Sequence, residues 1–476
     1  MTAFFSEVHS AEIALPIHFI FFISFAHNDL ILIKSIKFSN IVRTHWIRLI
    51  AYERLPQSRT LAAFRLKFYY YLGFKEVSTI KASDFYQFYV SHEEKNRIDD
   101  LELFDEYEPW HLKCSHYILV TATKGDICSQ IVKNVYPFSN LTNNNALIKF
   151  DSSYCTYKAL SIKFGSRFGH SIGVLKSKIF VFGGFGELAT DPYCKHLRLA
   201  SVELPADKML DRIFHSCNAI GSDSLVISFG RTNPSKMFNS ITNIFYDEKD
   251  ENIEIKETDI ELNCIELSIP RYRHLMCPTS DSSLFIYGGK YYDQSTNTST
   301  ILNDAYIFDS SQNLQIIQVD SNIISGRHSA CINQWKKNLI ISGGLNAQEN
   351  PLNEIILFNS ETLTFNKKEI MKGYVLPRYS HSSHVIDDTL ILVGGANFDG
   401  NPPGLCFINL QTWTAIEFDV PNENRLMLVC HQSHLIDRNN ILLIGGGGVC
   451  FTFGTHLNKY PIILDITNCW SRYFQK

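Results

Sequence analysis

Glycine pairs recur at a nearly constant spacing in the last two thirds of the chain. Each closes a short apolar run, and successive first glycines lie 47, 58, 55, 51 and 51 residues apart. The positions are Gly183/Gly184, Gly230 alone, Gly288/Gly289, Gly343/Gly344, Gly394/Gly395 and Gly445/Gly446. A period of about fifty residues is typical of stacked supersecondary units, so the repeat predicts the architecture of this region.

One repeat unit reads as four strands. An apolar run such as residues 283–287 ends at the glycines, and a strand bearing arginine or histidine precedes it across a polar turn. Two more strands follow, for example residues 305–308 and 314–318, although the first unit offers only residues 197–204. Glycine permits positive φ and close backbone approach at the strand end. Six such units without helical periodicity predict a mostly β chain with a six-bladed β-propeller.

Arginine and histidine recur just before the apolar run of each unit. A repeat places equivalent residues at equivalent positions, so we expect most of them to form structural hydrogen bonds to neighbouring blades. The alternative is contact with a ligand at the channel mouth. The candidate contacts with RNA or a protein partner are Arg271, Arg273, Arg327 and Arg378, with Thr455 and His456 in the polar loop 450–458.

Composition and charge limit the class of protein. The 476 residues are 45% hydrophobic and 19% charged, which indicates a globular chain with room for two domains. A net charge of −4 argues against a generally basic, nucleic-acid-binding surface. Residues 34–75 nonetheless carry nine Lys or Arg and one acid, whereas residues 93–108 carry eight acids. We interpret the basic stretch as a solvated helix face, with a phosphate-binding face as the alternative.

Cysteine usage and the N-terminal apolar run bear on the compartment. Twelve cysteines occur without a CxxC pair, which favours reduced thiols in a cytoplasmic protein and no metal site. The apolar run 13–26 is only fourteen residues long and contains Pro16 and His18. It is too short for a membrane helix, so we expect a buried strand or an anomalous terminus, and no membrane partner.

Residues 56–130 carry signals of a small α/β segment. Residues 65–77 predict a helix ended by Gly73 and then a strand. Ser91 and Glu94 fit a capping box for a helix that continues to Phe104. A β-rich run follows at 117–123. We therefore predict an unassigned N-terminus, a truncated α/β segment, a linker and a propeller, at residues 1–55, 56–130, 131–157 and 158–476.

Two runs in this segment carry a family resemblance. Residues 103–108 (Leu-Phe-Asp-Glu-Tyr-Glu) and 110–117 (Trp-His-Leu-Lys-Cys-Ser-His-Tyr) resemble the closing part of the leucine carboxyl methyltransferase family. Pro109 departs from the acidic residue expected between them. The later repeats resemble the kelch repeat, with Trp413 as the best match to its tryptophan. The combination resembles the wybutosine-synthesizing members of the methyltransferase family.

That resemblance implies an activity and a cofactor. It implies S-adenosylmethionine as cofactor, phenylalanine tRNA as partner, and methylation and methoxycarbonylation of a side-chain carboxylate on a hypermodified guanosine beside the anticodon. Such a domain needs a glycine-rich turn beside the cofactor. The chain has no glycine before Gly73 and none from there to Gly125. We therefore assign no residue to cofactor binding, and the catalytic residues are unknown.

Two hypotheses account for the missing loop. The chain is an incomplete or mis-spliced product whose first fifty-odd residues replace a cofactor domain, or it is a catalytically inactive remnant that works as a binding module. The apolar, glycine-free composition of residues 1–50 favours the first. The alternative function is a non-enzymatic propeller that acts as an adaptor for a protein or for tRNA.

Overall fold

A computed structural model provides the structure of the protein. It describes residues 19–26, 30–37, 76–101, 106–114, 118–123, 151–161, 166–176, 178–186, 212–233, 235–247, 252–259, 270–280, 283–296, 298–309, 314–398, 402–421, 426–450 and 454–474. The chain divides into two compact units. The first comprises residues 1–91 and 113–146, and the second comprises residues 92–112 and 147–476.

The first unit contains a four-stranded sheet and one helix. In chain order the elements are β1 (Phe19–Ala26), β2 (Leu30–Lys37), β3 (Glu76–Lys81), α1 (Ala82–Tyr89) and β4 (Ile118–Thr123). The strand order is β2-β1-β4-β3, and every neighbouring pair is antiparallel. Both the strand predicted after Gly73 and the one predicted at 117–123 are confirmed, whereas the helix predicted before Gly73 lies outside the described residues.

This sheet does not show the predicted α/β methyltransferase segment. Domains of that class are built on parallel strands joined by helical crossovers. Here β1 and β2 form a hairpin that pairs with β4, so no pair in the sheet is parallel. The second half of the apolar run 13–26 forms β1, and no helix among the described residues is long and apolar enough to span a bilayer.

Two helices precede the propeller strands. They are α2 (His92–Leu101) and α3 (Tyr107–Cys114). The start of α2 directly after Ser91 confirms the predicted helix start, and the predicted continuation beyond Leu101 to Phe104 lies outside the described residues. Pro109 lies in the first turn of α3, where its missing N–H leaves no helical hydrogen bond unmade.

The second unit is otherwise made of short strands. From residue 156 to residue 247 they are β5 (Thr156–Ala159), β6 (Arg167–Phe168), β7 (Ser171–Leu175), β8 (Lys178–Phe182), β9 (Phe185–Gly186), β10 (Ser216–Ile220), β11 (Ser224–Ser228), β12 (Arg231–Asn233), β13 (Lys236–Met237) and β14 (Ser240–Asp247). From residue 252 to residue 346 they are β15 (Asn252–Asp259), β16 (Leu275–Ser280), β17 (Ser283–Tyr287), β18 (Lys290–Asp293), β19 (Thr298–Ile301), β20 (Ala305–Asp309), β21 (Leu314–Ile317), β22 (Arg327–His328), β23 (Cys331–Trp335), β24 (Asn338–Ser342) and β25 (Leu345–Asn346).

The remaining strands and the last helix complete the unit. They are β26 (Ile355–Asn359), β27 (Thr364–Lys368), β28 (Ser382–Ile386), β29 (Thr389–Val393), β30 (Leu405–Asn409), β31 (Thr414–Phe418), β32 (His431–Leu435), β33 (Asn440–Gly445), β34 (Gly447–Cys450), β35 (Gly454–Leu457), β36 (Ile462–Asp465) and α4 (Thr467–Phe474). The second strand of each sheet coincides with a predicted apolar run to within one residue at either end. That run is buried because the sheet is covered on both faces.

Five four-stranded sheets form the blades of the propeller. They are β10-β11-β14-β15, β16-β17-β20-β21, β23-β24-β26-β27, β28-β29-β30-β31 and β32-β33-β36-β5. The prediction of six complete blades is therefore corrected to five, because the first predicted unit forms only the hairpin β7-β8 in the described residues. The strand expected at 197–204 lies outside them. The last sheet takes its outer strand, β5, from before that first unit.

The glycines that close the apolar runs link each unit to the next one. The N–H of the second glycine of each pair, or of the single Gly230, donates to a carbonyl in the following unit. These bonds are Gly184 to Arg212 (3.0 Å), Gly230 to Arg271 (2.9 Å), Gly289 to Arg327 (2.9 Å), Gly344 to Arg378 (2.9 Å), Gly395 to Leu428 (2.7 Å) and Gly446 to Arg167 (2.9 Å). The sixth bond returns to the first unit, so the series closes a ring. Both glycines have positive φ, as the sequence predicted.

The recurring histidines also bridge neighbouring units. In four of them the Nε2 atom is hydrogen-bonded to a serine hydroxyl of the preceding unit. The pairs are His215 with Ser171 (2.7 Å), His274 with Ser228 (2.8 Å), His381 with Ser342 (3.2 Å) and His431 with Ser382 (2.8 Å). Burial lowers the pKa of His215 to about 3 and that of His431 to about 4. Both imidazoles are therefore neutral in the folded protein.

Acid should destabilise the propeller well above the carboxylate range. Below the ordinary histidine pKa of 6.5 these histidines become protonated in the unfolded chain but stay neutral in the folded protein. The free energy of unfolding therefore falls as pH falls from 6.5 towards 4. Each such histidine contributes about 1.4 kcal/mol per pH unit. We expect the urea midpoint to be level from pH 7 to 8.5 and to fall steeply at pH 6 and 5. An equal midpoint at pH 5 and pH 8 would contradict this reading.

Candidate binding site at the channel mouth

Backbone hydrogen bonds link six residues where the inner strands begin, in an arc around that end of the channel that is called here the ring. It is formed by the residue just before each inner histidine or its equivalent. The N–H-to-carbonyl bonds are Phe214 to Gly169 (2.7 Å), Arg273 to Phe214 (2.8 Å), Ser329 to Arg273 (3.0 Å), Ser380 to Ser329 (2.8 Å) and Cys430 to Ser380 (3.0 Å). All six residues have φ between 49° and 66°. This left-handed conformation is uncommon for residues that carry a side chain, and here it recurs at the same place in each unit.

The carboxylate of Glu108 occupies this ring. Arg273 donates from Nη2 to Oε2 of Glu108 at 3.1 Å and from Nη1 to Oε1, and the Ser380 hydroxyl donates to the same Oε1. Nη1 of Arg273 also donates to Ser329 Oγ at 2.9 Å. The side chains of Glu108 and Arg273 are only 3% and 4% exposed, so this is a bidentate ion pair away from water.

Both members of the pair are charged at neutral pH. Burial raises the pKa of Glu108, but the charge of Arg273 and the hydrogen bonds from Arg273 and Ser380 outweigh burial and leave the pKa below its ordinary value. Burial lowers the pKa of Arg273, and the charge of Glu108 more than reverses that effect. Removing either partner would leave the other as an uncompensated buried charge.

Helix α3 makes further contacts around the same mouth. Lys290 Nζ donates to the Tyr107 hydroxyl at 2.8 Å, and His111 Nδ1 lies 2.5 Å from the Tyr379 hydroxyl. The His111 ring meets the Phe398 ring edge-on at 4.2 Å between centroids. Burial lowers the pKa of His111 to about 3, so it is uncharged. Residues 92–101 and 106–112, called here the mouth segment, are thus bound by the propeller.

Apolar packing completes the seat of the mouth segment. Tyr107 belongs to one buried cluster with Leu345, Tyr379, Ala396 and Val429. A Cβ added at Gly448 would come within 3.2 Å of Pro109 Cδ, so the first turn of α3 lies against the start of β34. At the other end of the segment, Lys95 Nζ lies 3.9 Å from a Glu349 carboxylate oxygen. Polar and apolar contacts therefore hold the mouth segment against the propeller.

Three of the predicted contact residues lie inside the blades. Each guanidinium donates to the first glycine carbonyl of its own unit and pairs with a carboxylate. The contacts are Arg271 to Gly288 (3.1 Å) and Asp304 (2.7 Å), Arg327 to Gly343 (3.1 Å) and Glu354 (2.6 Å), and Arg378 to Gly394 (3.1 Å) and Glu417 (2.5 Å). The guanidinium stays within its own unit rather than reaching the neighbouring blade as predicted. Their contact with a partner stays a prediction.

The other predicted contacts are divided between two places. Arg273 lies at the mouth, bonded to Glu108, whereas Thr455 and His456 are exposed on the hairpin of β34 and β35. The sequence reasoning did not single out Ser329 or Ser380, and it treated Glu108 only as part of a family motif. The available signal for Ser380 was its place just before His381, where the residue varies from unit to unit while its neighbours recur. Ser329 precedes Ala330 and carried no such signal.

The described residues of the first unit do not fit S-adenosylmethionine. A nucleotide-type cofactor site needs parallel strands and a glycine-rich turn at a strand end. Within residues 19–26, 30–37, 76–91 and 118–123 every strand pair is antiparallel, and these residues include no glycine. We therefore derive no chemical step through this cofactor.

Fold and site together define a β-propeller protein whose channel mouth binds an earlier segment of the same chain. The family model described as "tRNA wybutosine-synthesizing protein 4, beta-propeller" matches residues 210–460, more than half of the chain. The chain belongs to this family.

Curated relatives carry the same name. The human tRNA wybutosine-synthesizing protein 4 is 27% identical over 436 residues, which cover 83% of this chain and 61% of the human protein. The rat protein of that name is 28% identical over 430 residues with the same coverages. The one from Candida albicans is 24% identical over 402 residues. The chain thus spans about three fifths of the length of its mammalian relatives.

Proposed function

We propose that this chain acts in wybutosine biosynthesis on phenylalanine tRNA. The observation that carries the proposal is the mouth segment. Its residues 106–112 include part of the motif that resembles the methyltransferase family, and they belong to one compact unit with a propeller of the wybutosine-synthesizing family. The propeller and this part of the motif therefore belong to one compact unit, as expected if both serve the same reaction.

The role that we assign to the chain is that of the propeller part of this system. Family membership implies S-adenosylmethionine as methyl donor and a carboxylate on the modified guanosine as acceptor. Because the described residues do not fit that cofactor, no residue of this chain is assigned to methyl transfer. We assign the propeller to holding the mouth segment and to binding the substrate.

Deletion of the gene should change the nucleosides of phenylalanine tRNA. We expect the mature wybutosine base to disappear and a precursor that retains a free side-chain carboxylate to accumulate, as measured by nucleoside mass spectrometry. Re-expression of the full chain should restore the mature base. An unchanged nucleoside profile after deletion would refute the proposal and favour the adaptor function, in which the propeller binds a protein and modifies no tRNA.

A further inference from the structure

The guanidinium of Arg273 is held in place by groups other than Glu108. The backbone N–H of Arg273 donates to the Phe214 carbonyl, and the Arg273 carbonyl accepts from the Ser329 N–H, so its backbone is fixed in the ring. The guanidinium carbon lies 3.7 Å from the centroid of the Phe214 ring, and Nη1 donates to the Ser329 hydroxyl. The cation is therefore preorganised by the propeller itself, which lowers the entropic cost of binding an anion there.

A cation buried to this degree requires a counter-charge. Arg273 is almost fully shielded from water, and an unpaired buried charge costs several kcal/mol. Lys290 lies buried at the same mouth, bonded to Tyr107, and adds to the positive potential. The counter-charge is the carboxylate of Glu108, which lies 165 residues away from Arg273 in the sequence. The pocket and its ligand thus come from separate parts of the chain.

We propose that Arg273, Ser329 and Ser380 form a carboxylate-binding pocket at the channel mouth, with Glu108 as its internal ligand. The planar guanidinium presents two parallel N–H groups to the two carboxylate oxygens, and Ser380 donates a third hydrogen bond. This pocket holds the mouth segment on the propeller. It binds a small external carboxylate when the internal one is removed. The inference does not depend on the proposed function in tRNA modification.

The test uses the full chain with Glu108→Ala, which deletes a group the size of acetate. Limited trypsin digestion reports detachment of the mouth segment from the propeller. Arg97 lies in this segment, in α2, and its side chain is 60% exposed, so trypsin cleaves after it faster when the segment detaches. We expect cleavage after Arg97 to be at least about tenfold faster in the variant than in the natural chain, since the buried pair is lost. With a Kd on the order of 50 mM, 100 mM sodium acetate should slow that cleavage about threefold relative to sodium chloride.

The matched control is Glu417→Ala. It removes an equally buried carboxylate from Arg378, but inside a blade rather than at the mouth. Acetate should leave its cleavage after Arg97 unchanged. The proposal is overturned if acetate has no effect on Glu108→Ala, if it protects both variants alike, or if phosphate protects Glu108→Ala and acetate does not. If Glu108→Ala folds only in acetate, that recovery supports the pocket, and recovery in neither salt overturns it.

Discussion

Replacing Gly343 by alanine should cost about 3–5 kcal/mol of unfolding free energy. The residue has φ of +61°, and an added Cβ would lie 2.4 Å from the Arg378 carbonyl oxygen and 2.9 Å from the His381 ring. The left-handed conformation alone costs an alanine about 1–2 kcal/mol. Displacing the carbonyl also breaks the bond from the Gly344 N–H, and overpacking of this kind costs a further 1–3 kcal/mol or so.

Gly221 provides the control for that substitution. It has the same φ of +61° in the turn between β10 and β11, but an added Cβ would meet nothing within 4 Å. Gly221→Ala should therefore cost only about 1–2 kcal/mol. Chemical denaturation of both variants measures the difference, which isolates the contact between neighbouring blades. Equal losses would show that backbone conformation, and not the interblade contact, explains the glycine pair.

Glu417→Ala should destabilise the protein by about 3–5 kcal/mol, because it leaves Arg378 buried without a counter-charge. The two side chains are 1% and 0% exposed, and Glu417 also accepts a hydrogen bond from the Leu376 N–H at 2.7 Å. The comparison is Asp387→Ala, which removes the partner of Arg438 from a pair that is 72% and 50% exposed. A surface pair of that kind is worth less than about 1 kcal/mol.

The two carboxylate variants test whether the recurring arginines are structural. If Glu417→Ala and Asp387→Ala shift the denaturation midpoint equally, the carboxylate of Glu417 does not compensate the buried guanidinium, and the recurrence of arginine needs another explanation. If only Glu417→Ala loses much unfolding free energy, a role in folding is sufficient to explain why arginine recurs in the blades. Arg273 would then differ from these arginines, since its carboxylate partner, Glu108, comes from outside the blades.

Local pattern was sufficient to predict the strands of the propeller. The apolar runs that became β17 and β29 are short, rich in branched or aromatic residues and closed by glycine, and such runs have few other stable arrangements. The start of α2 after Ser91 also followed from local capping chemistry. These features depend on residues that are neighbours in the sequence, so they could be predicted without knowledge of the fold.

The channel mouth could not be read in this way. The partnership of Glu108 with Arg273 depends on where the closed ring places residues far apart in sequence, and no periodicity reports that distance. The number of complete blades was overestimated because the described residues around Gly183 form only the hairpin β7-β8, and no four-stranded sheet. The antiparallel pairing of β1 with β4 was equally invisible, since pairing partners leave no local signature.

The last sheet takes its outermost strand, β5, from residues 156–159, while its other three strands come from residues 431–465. The first and last parts of the propeller region are therefore joined by backbone hydrogen bonds in a single sheet. In a ring closed in this way, the first and last repeats are hydrogen-bonded to each other, so neither is a free end at which unfolding can begin. Its blades should melt as one cooperative block, unlike an open array of repeats, which can lose its end units one at a time.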